Sequence, residues 1–174
     1  MIKSVSINNF RSIYETTDLK LGDITFIIGK NGAGKSTLIS ALYLTKQLAS
    51  KGNVDEIVSK MAPFGYEIFT RGSRNSSCQI GLVVRDDKGI NYKFVYSIAT
   101  SGPALSYNIT NESLVRFESP DNQVTIYERS NGELKAINKK TGQLEDVPLN
   151  IEGVNLVLGN YNDDEANKIA DLIG

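Results

Sequence analysis

Asp23-Ile-Thr-Phe-Ile-Ile-Gly-Lys-Asn-Gly-Ala-Gly-Lys-Ser-Thr-Leu38 is the stretch on which the fold turns. The apolar run 24–28 is short, rich in β-forming residues and stopped by Gly29, which predicts a buried strand. From residue 36 to about residue 50 the spacing predicts a helix, with Leu38, Leu42, Thr45 and Ala49 on one stripe and Ile39 and Tyr43 beside it. Between strand and helix, residues 29–37 match the phosphate-loop pattern G-x-x-x-x-G-K-[ST] at every defined position.

The residue types explain the spacing. Gly32 and Gly34 let the backbone bend so that successive N–H groups, those of Asn31, Gly32, Ala33 and Gly34 among them, converge on a phosphate. The amides run on into a helix N-terminus, whose dipole adds to the attraction for an anion. Lys35 is expected to bridge the β- and γ-phosphates, and is the catalytic candidate. Ser36 is the expected Mg²⁺ ligand, and Thr37 is expected to reach the α-phosphate.

Outward from this loop, the N-terminal residues 3–10 and 19–21 read as strands. A short helix over 55–61 follows, then a polar loop over 70–77. Residues 79–85 and 90–98 read as a hairpin around Asp86-Asp-Lys-Gly89, with Tyr92, Phe94, Tyr96 and Ile98 on one face. Further strands are predicted over 106–117, 124–129 and 134–138, then an apolar run 154–158 and a helix over 165–173.

Composition narrows the chemistry. The 174 residues carry 19 Lys and Arg against 20 Asp and Glu, so no global basic field holds nucleic acid and any contact with it must be local. The absence of histidine excludes Ser-His-Asp and Cys-His catalysis and histidine metal sites. A single cysteine, Cys78, excludes an internal disulfide and reads as a core filler. No segment has the length of a membrane span, and the N-terminus lacks a signal-peptide pattern, so a soluble, cytoplasmic protein is expected.

Ile7-Asn-Asn-Phe-Arg-Ser-Ile13, followed by Leu21-Gly-Asp and the phosphate loop, resembles the N-terminal lobe of ABC-type ATPases of the SMC, RecF and overcoming-lysogenization-defect (OLD) groups. An N-F-R-S tetrad shortly before G-x-N-G-A-G-K-S-T is characteristic of these AAA-family ATPases of DNA repair and phage defence. The resemblance implies an α/β P-loop NTPase fold, an ABC-ATPase-like lobe whose mixed or antiparallel β-sheet wraps on the phosphate-loop helix. It implies ATP and Mg²⁺ as ligands and gives Arg11 and Ser12 to nucleotide contact. It also implies a homodimer of heads or association with a missing C-terminal half, and in the intact protein a hydrolysis that drives a cycle on DNA or gates a nuclease. Residues 92–98 with Ile109-Thr-Asn-Glu-Ser-Leu114 resemble a strand and I-x-x-E-x-L pattern of the same group.

Two motifs of that family are missing: a hydrophobic strand ending in Asp-Glu (Walker B) and a Leu-Ser-Gly-Gly signature. Asp163-Asp-Glu165 reads as a helix cap rather than Walker B, because it opens a helix. Gln79 is a candidate for the family's Q-loop glutamine, equally well read as a surface amide. Glu112 reads as a solvated carboxylate, and the Tyr92, Phe94 and Tyr96 stripe as sheet packing rather than a base-stacking platform. Arg71 and Arg74 are loop arginines that could meet DNA or a γ-phosphate. Asp86 to Gly89 formally fits D-x-x-G, but as a hairpin turn, and Asn138-Lys-Lys-Thr141 lacks the Asp that guanine recognition needs.

The expected organisation is therefore strands, loop and helix over 1–50, a β-rich lobe over 51–160, and over 161–174 the start of a helix leading to a missing half. ATP binding is the expected function, with hydrolysis when the missing motifs are supplied and none by this chain alone. The alternatives are a nucleotide-dependent sensor or assembly subunit that does not hydrolyse ATP, and a small P-loop phosphotransferase.

Overall fold

Alternating apolar and polar residues dominate the middle of the chain, and in the computed structural model they build one large sheet. The structure describes residues 1–15, 17–50, 52–62, 68–70, 76–101, 106–119, 122–148, 155–158 and 160–173. The strands are β1 (Ile2–Asn8), β2 (Thr17–Lys20), β3 (Ser77–Arg85), β4 (Asn91–Ser101), β5 (Ser106–Ser119), β6 (Asn122–Ser130), β7 (Glu133–Ile137) and β8 (Leu144–Val147). They lie in the order β2-β1-β3-β4-β5-β6-β7-β8. Every neighbouring pair is antiparallel, so of the mixed or antiparallel sheet expected, the described residues form the antiparallel one.

Three helices complete the fold: α1 (Lys35–Ala49), α2 (Val54–Met61) and α3 (Asp164–Ile173). They pack on the sheet face that carries Ile80, Leu82, Phe94, Tyr96, Ile98 and Leu114, all buried. The stripe of Tyr92, Phe94 and Tyr96 is core, as expected, with the rings of Phe94 and Tyr96 stacked 5.6 Å apart. Such side chains contribute about 1.5–3 kcal/mol each on full burial. Tyr96 keeps its hydroxyl satisfied by sharing a 2.9 Å hydrogen bond with Thr45 of α1, which ties the phosphate-loop helix to the sheet centre. Cys78 is buried among these residues as a filler, and burial pushes its thiol up to about 12.

α1 buries Thr37, Leu38, Ala41, Leu44, Thr45, Leu48 and Ala49. The stripe read from sequence contains three of its anchors, Leu38, Thr45 and Ala49, but Leu42 is only half-buried and Ile39 and Tyr43 face solvent. α2 is capped by Asn53, whose side chain accepts from the Glu56 N–H at 3.1 Å, and Asp55 accepts from the Tyr107 N–H at 3.0 Å, which fastens the helix to β5. The short strand β8, Leu-Glu-Asp-Val, has no alternation in sequence to announce it, and it pairs with β7 after the Asn138 turn.

The main correction concerns residues 24–28. They form no strand, and Ile24, Phe26 and Ile28 are 80%, 85% and 92% exposed, with Ile27 at 44%. The chain leaves the sheet at the end of β2, where Leu21 N–H still donates to the Lys3 carbonyl at 2.7 Å. A run apolar on both faces suits a strand buried on both faces. Among the described residues the run meets no neighbouring strand, so it stays out in solvent.

Candidate functional site

The phosphate-loop residues sit where this exposed run meets α1. Gly32 and Gly34 have φ of 83° and 91°, left-handed values that favour glycine. The Ala33 N–H donates to the Lys30 carbonyl at 3.2 Å, which closes a tight turn. Lys35 curls back over that turn, its Nζ donating to the carbonyls of Gly29 at 2.6 Å and Lys30 at 2.7 Å. An ammonium carries three donors, so one remains for a ligand.

α1 opens without a side-chain cap, and its first bond runs from the Leu38 N–H to the Gly34 carbonyl at 3.1 Å. Its leading N–H groups are therefore free to bind an anion, in the region where the helix dipole is positive. Asn31, Gly32, Ala33 and Ser36 are all exposed.

The Asn9 to Ser12 tetrad is brought directly against this loop. The hydroxyls of Ser12 and Thr37 share a 2.6 Å hydrogen bond, and Arg11 Nη1 donates to Ser40 Oγ at 2.8 Å. A Cβ at Gly34 would come within 3.4 Å of Ile13 Cγ1 and 3.6 Å of Ser12 Oγ, so tetrad and loop are in near contact. Arg11, Ser12 and Thr37 belong to the sequence motifs; Ser40 lies outside them, although it follows Thr37 by three residues and so shares its helix face.

The profile of the AAA ATPase domain family matches residues 1–168. The chain belongs to this family. It is also 48% identical over 44 residues to an OLD nuclease from Thermus scotoductus, a match covering 25% of this chain and 8% of that protein. The chain is therefore a P-loop ATPase domain of the OLD and SMC-like kind, and it spans a small part of the length of the curated relative it matches.

The other candidates of this AAA ATPase domain fall elsewhere. Gln79 lies on the sheet face opposite α1, with its Nε2 donating to Ser97 Oγ at 3.4 Å. Asp163 caps α3, its Oδ1 accepting from the N–H groups of Glu165 at 2.9 Å and Ala166 at 3.2 Å. Asp86 to Gly89 forms the β3–β4 hairpin turn, with Gly89 at φ 84°. Arg71 and Arg74 lie outside the described residues.

Glu112 overturns its expected reading. It is 2% exposed and accepts from the Tyr127 hydroxyl at 2.7 Å, the Val157 N–H at 2.7 Å and the Leu158 N–H at 2.8 Å. Arg129 Nη1 beside it donates to the Asn155 carbonyl at 2.8 Å. Burial, opposed by these donors and by the Arg129 charge, pushes the Glu112 carboxyl up to about 7. Glu112 and Arg129 thus clasp residues 155–158 against β5 and β6, ahead of α3. Among the described residues no cluster of acidic, cysteine or histidine side chains could hold a metal by itself, and no helix is long and apolar enough to cross a membrane.

Proposed function

We propose that this ATPase domain binds ATP with Mg²⁺ through residues 31–37, assisted by Arg11 and Ser12. The observation that carries the reading is the uncapped N-terminus of α1 joined to a loop with two left-handed glycines and a lysine folded over it. The donor set suits a polyphosphate: backbone amides for the oxyanions, one ammonium for the charge, and an exposed hydroxyl for a hard cation. Mg²⁺ would be held by the Ser36 hydroxyl together with phosphate oxygens and water, and it supplies charge neutralisation to the phosphates.

Each residue then has a task. The amides of Asn31, Gly32, Ala33 and Gly34 ring the phosphate. Lys35 orients its free N–H toward the terminal phosphates, held in place by the Gly29 and Lys30 carbonyls. Thr37 and Ser12, already paired, line the α-phosphate side, and Arg11 flanks them. The hydrogen bond between Thr45 of α1 and Tyr96 at 2.9 Å ties this helix to the sheet centre.

Hydrolysis belongs to a completed head. The chain lacks an Asp-Glu strand end and a Leu-Ser-Gly-Gly signature, and among the described residues the exposed run 24–28 pairs with no strand. We propose that a C-terminal half and a second head supply these parts, and that the whole protein acts on DNA, in repair or phage defence, with a nuclease function as its OLD relative's name suggests. The test is equilibrium binding of ATP with and without Mg²⁺. Lys35→Ala should weaken binding by about tenfold or more, the worth of charge-assisted hydrogen bonds. Unchanged affinity would remove the site.

A further inference from the structure

The turn that presents Arg11 is strained. Asn9 and Arg11 have φ of 51° and 53°, in the left-handed region. For a residue such as arginine this costs about 1–2 kcal/mol and persists only where the surroundings impose it. Here they do. Phe10 and Ile13 exchange backbone hydrogen bonds at 2.9 and 3.0 Å, the Arg11 N–H donates to the Ile68 carbonyl at 2.8 Å, and Thr70 Oγ1 donates to the Ile13 carbonyl at 2.6 Å.

The direction in which the Arg11 side chain leaves this turn is therefore fixed, and its far end is received by Ser40 at 2.8 Å. Thr37 and Ser40 lie three residues apart on one face of α1, and they take Ser12 and Arg11 as a pair of staples. The choice of a hydroxyl matters. A carboxylate at this position would neutralise the guanidinium, whereas a serine oxygen accepts one of its five N–H donors and leaves the charge and four donors for a ligand. Ser40 also sets the height. At 1.5 Å rise per residue it lies about 6 Å along α1 from Ser36, so the guanidinium is held beside the loop and not over its mouth.

We infer that Ser40 is the positioning residue for Arg11, holding the guanidinium at the flank of the phosphate loop so that it meets the nucleotide at the end remote from Lys35. The inference rests on the nucleotide reading above. It follows that Ser40 and Arg11 serve ATP and ADP alike, because the terminal phosphate lies on the Lys35 side.

The experiment is equilibrium binding of ATP and of ADP, each with Mg²⁺, to wild type, S40A, S40T, R11A, the R11A/S40A double variant and K35A. S40A should weaken both nucleotides by about fivefold, the worth of one orienting hydrogen bond. S40T should bind like wild type, and the double variant should bind no more weakly than R11A alone. Unchanged affinity in S40A, additive losses in the double variant, or a loss confined to ATP would each overturn the inference. K35A separates the two levels. If it binds normally the nucleotide reading itself fails, and if it binds weakly while S40A is unaffected only the positioning role fails. Alanine is favourable inside a helix, so S40A should melt no lower than wild type. If S40A melts lower than wild type, S40T against the isosteric S40V carries the same comparison, since the two differ only in a hydroxyl against a methyl.

Discussion

A carboxylate withdrawn from water has to be met donor by donor, and Glu112 is met by Tyr127, Val157 and Leu158. Glu112→Ala would leave two buried amides and a buried hydroxyl without an acceptor, and is expected to cost about 3 kcal/mol or more in a urea titration at pH 5. The pH dependence has a definite sign. Burial, outweighing the three donors, raises the Glu112 carboxyl from 4.5 to about 7, so the folded chain holds a proton that the unfolded chain releases. Its contribution is greatest below about pH 4.5 and declines as the pH rises to about 7, by about 3 kcal/mol in all. The stability gap between wild type and Glu112→Ala should therefore shrink from pH 5 to pH 7.5, and a gap that widens would refute this account. The sequence hid this residue for a local reason. Counting by twos from Tyr107 and Ile109 puts position 112 on the outer face, but the register slips where Ser97 pairs with Asn111 and Ile98 with Ile109, and the extra residue turns Glu112 inward. The phosphate loop was legible because its function depends on local backbone geometry, which Gly32, Gly34, Lys35 and Ser36 specify without distant partners.

Elements show the same division between local and distant causes. The β3–β4 hairpin was readable from its alternation and its Asp-Asp-Lys-Gly turn, whereas the use of that turn as an anchor for α3 was not. Asp86 Oδ1 accepts from the N–H groups of Lys88 at 2.9 Å and Ile90 at 2.8 Å, while Oδ2 accepts from Lys168 of α3 at 3.0 Å. Arg116 of β5 pairs with Glu165 on the same helix, and Lys139 with Asp163 at 3.0 Å. Burial works to raise the Asp86 carboxyl, but Lys168 and the two amides outweigh it and hold it below its usual 3.8. The stability it contributes is present at neutral pH and lost as the pH falls past 3.8. Asp86→Ala should cost about 2–3 kcal/mol at pH 7 and less at pH 3, and hydrogen exchange should show α3 deprotected before the sheet. The window is opposite to that of Glu112, so the two anchors of the C-terminal segment can be told apart by titration alone. Equal losses at pH 7 and pH 3 would show that Asp86 acts as a neutral turn former only.

At the scale of the whole molecule, one core unites the sheet and the three helices, yet Ile24, Phe26 and Ile28 stand outside it, as do Ile39 and Tyr43 of α1. These exposed residues lie on the apolar run and the helix that flank the phosphate loop. Sequence periodicity reads the run 24–28 as a buried strand because composition records where a segment is stable, and that place requires neighbouring strands the sheet does not provide. The consequence is a sharp asymmetry between substitutions that look alike in sequence. Leu44→Ala removes a buried side chain and should cost about 2–5 kcal/mol. Phe26→Lys and Ile28→Lys alter side chains that contribute almost nothing to the folded core, and should leave the urea midpoint within about 0.5 kcal/mol of wild type. The same two changes should act on association, because an exposed apolar run invites contact with other chains and a lysine on it opposes that. Sedimentation at rising concentration should show wild type self-associating and both lysine variants monomeric. A fall in stability of more than about 1 kcal/mol for Phe26→Lys would mean that the run is covered in solution, and that the sheet is completed by this chain itself.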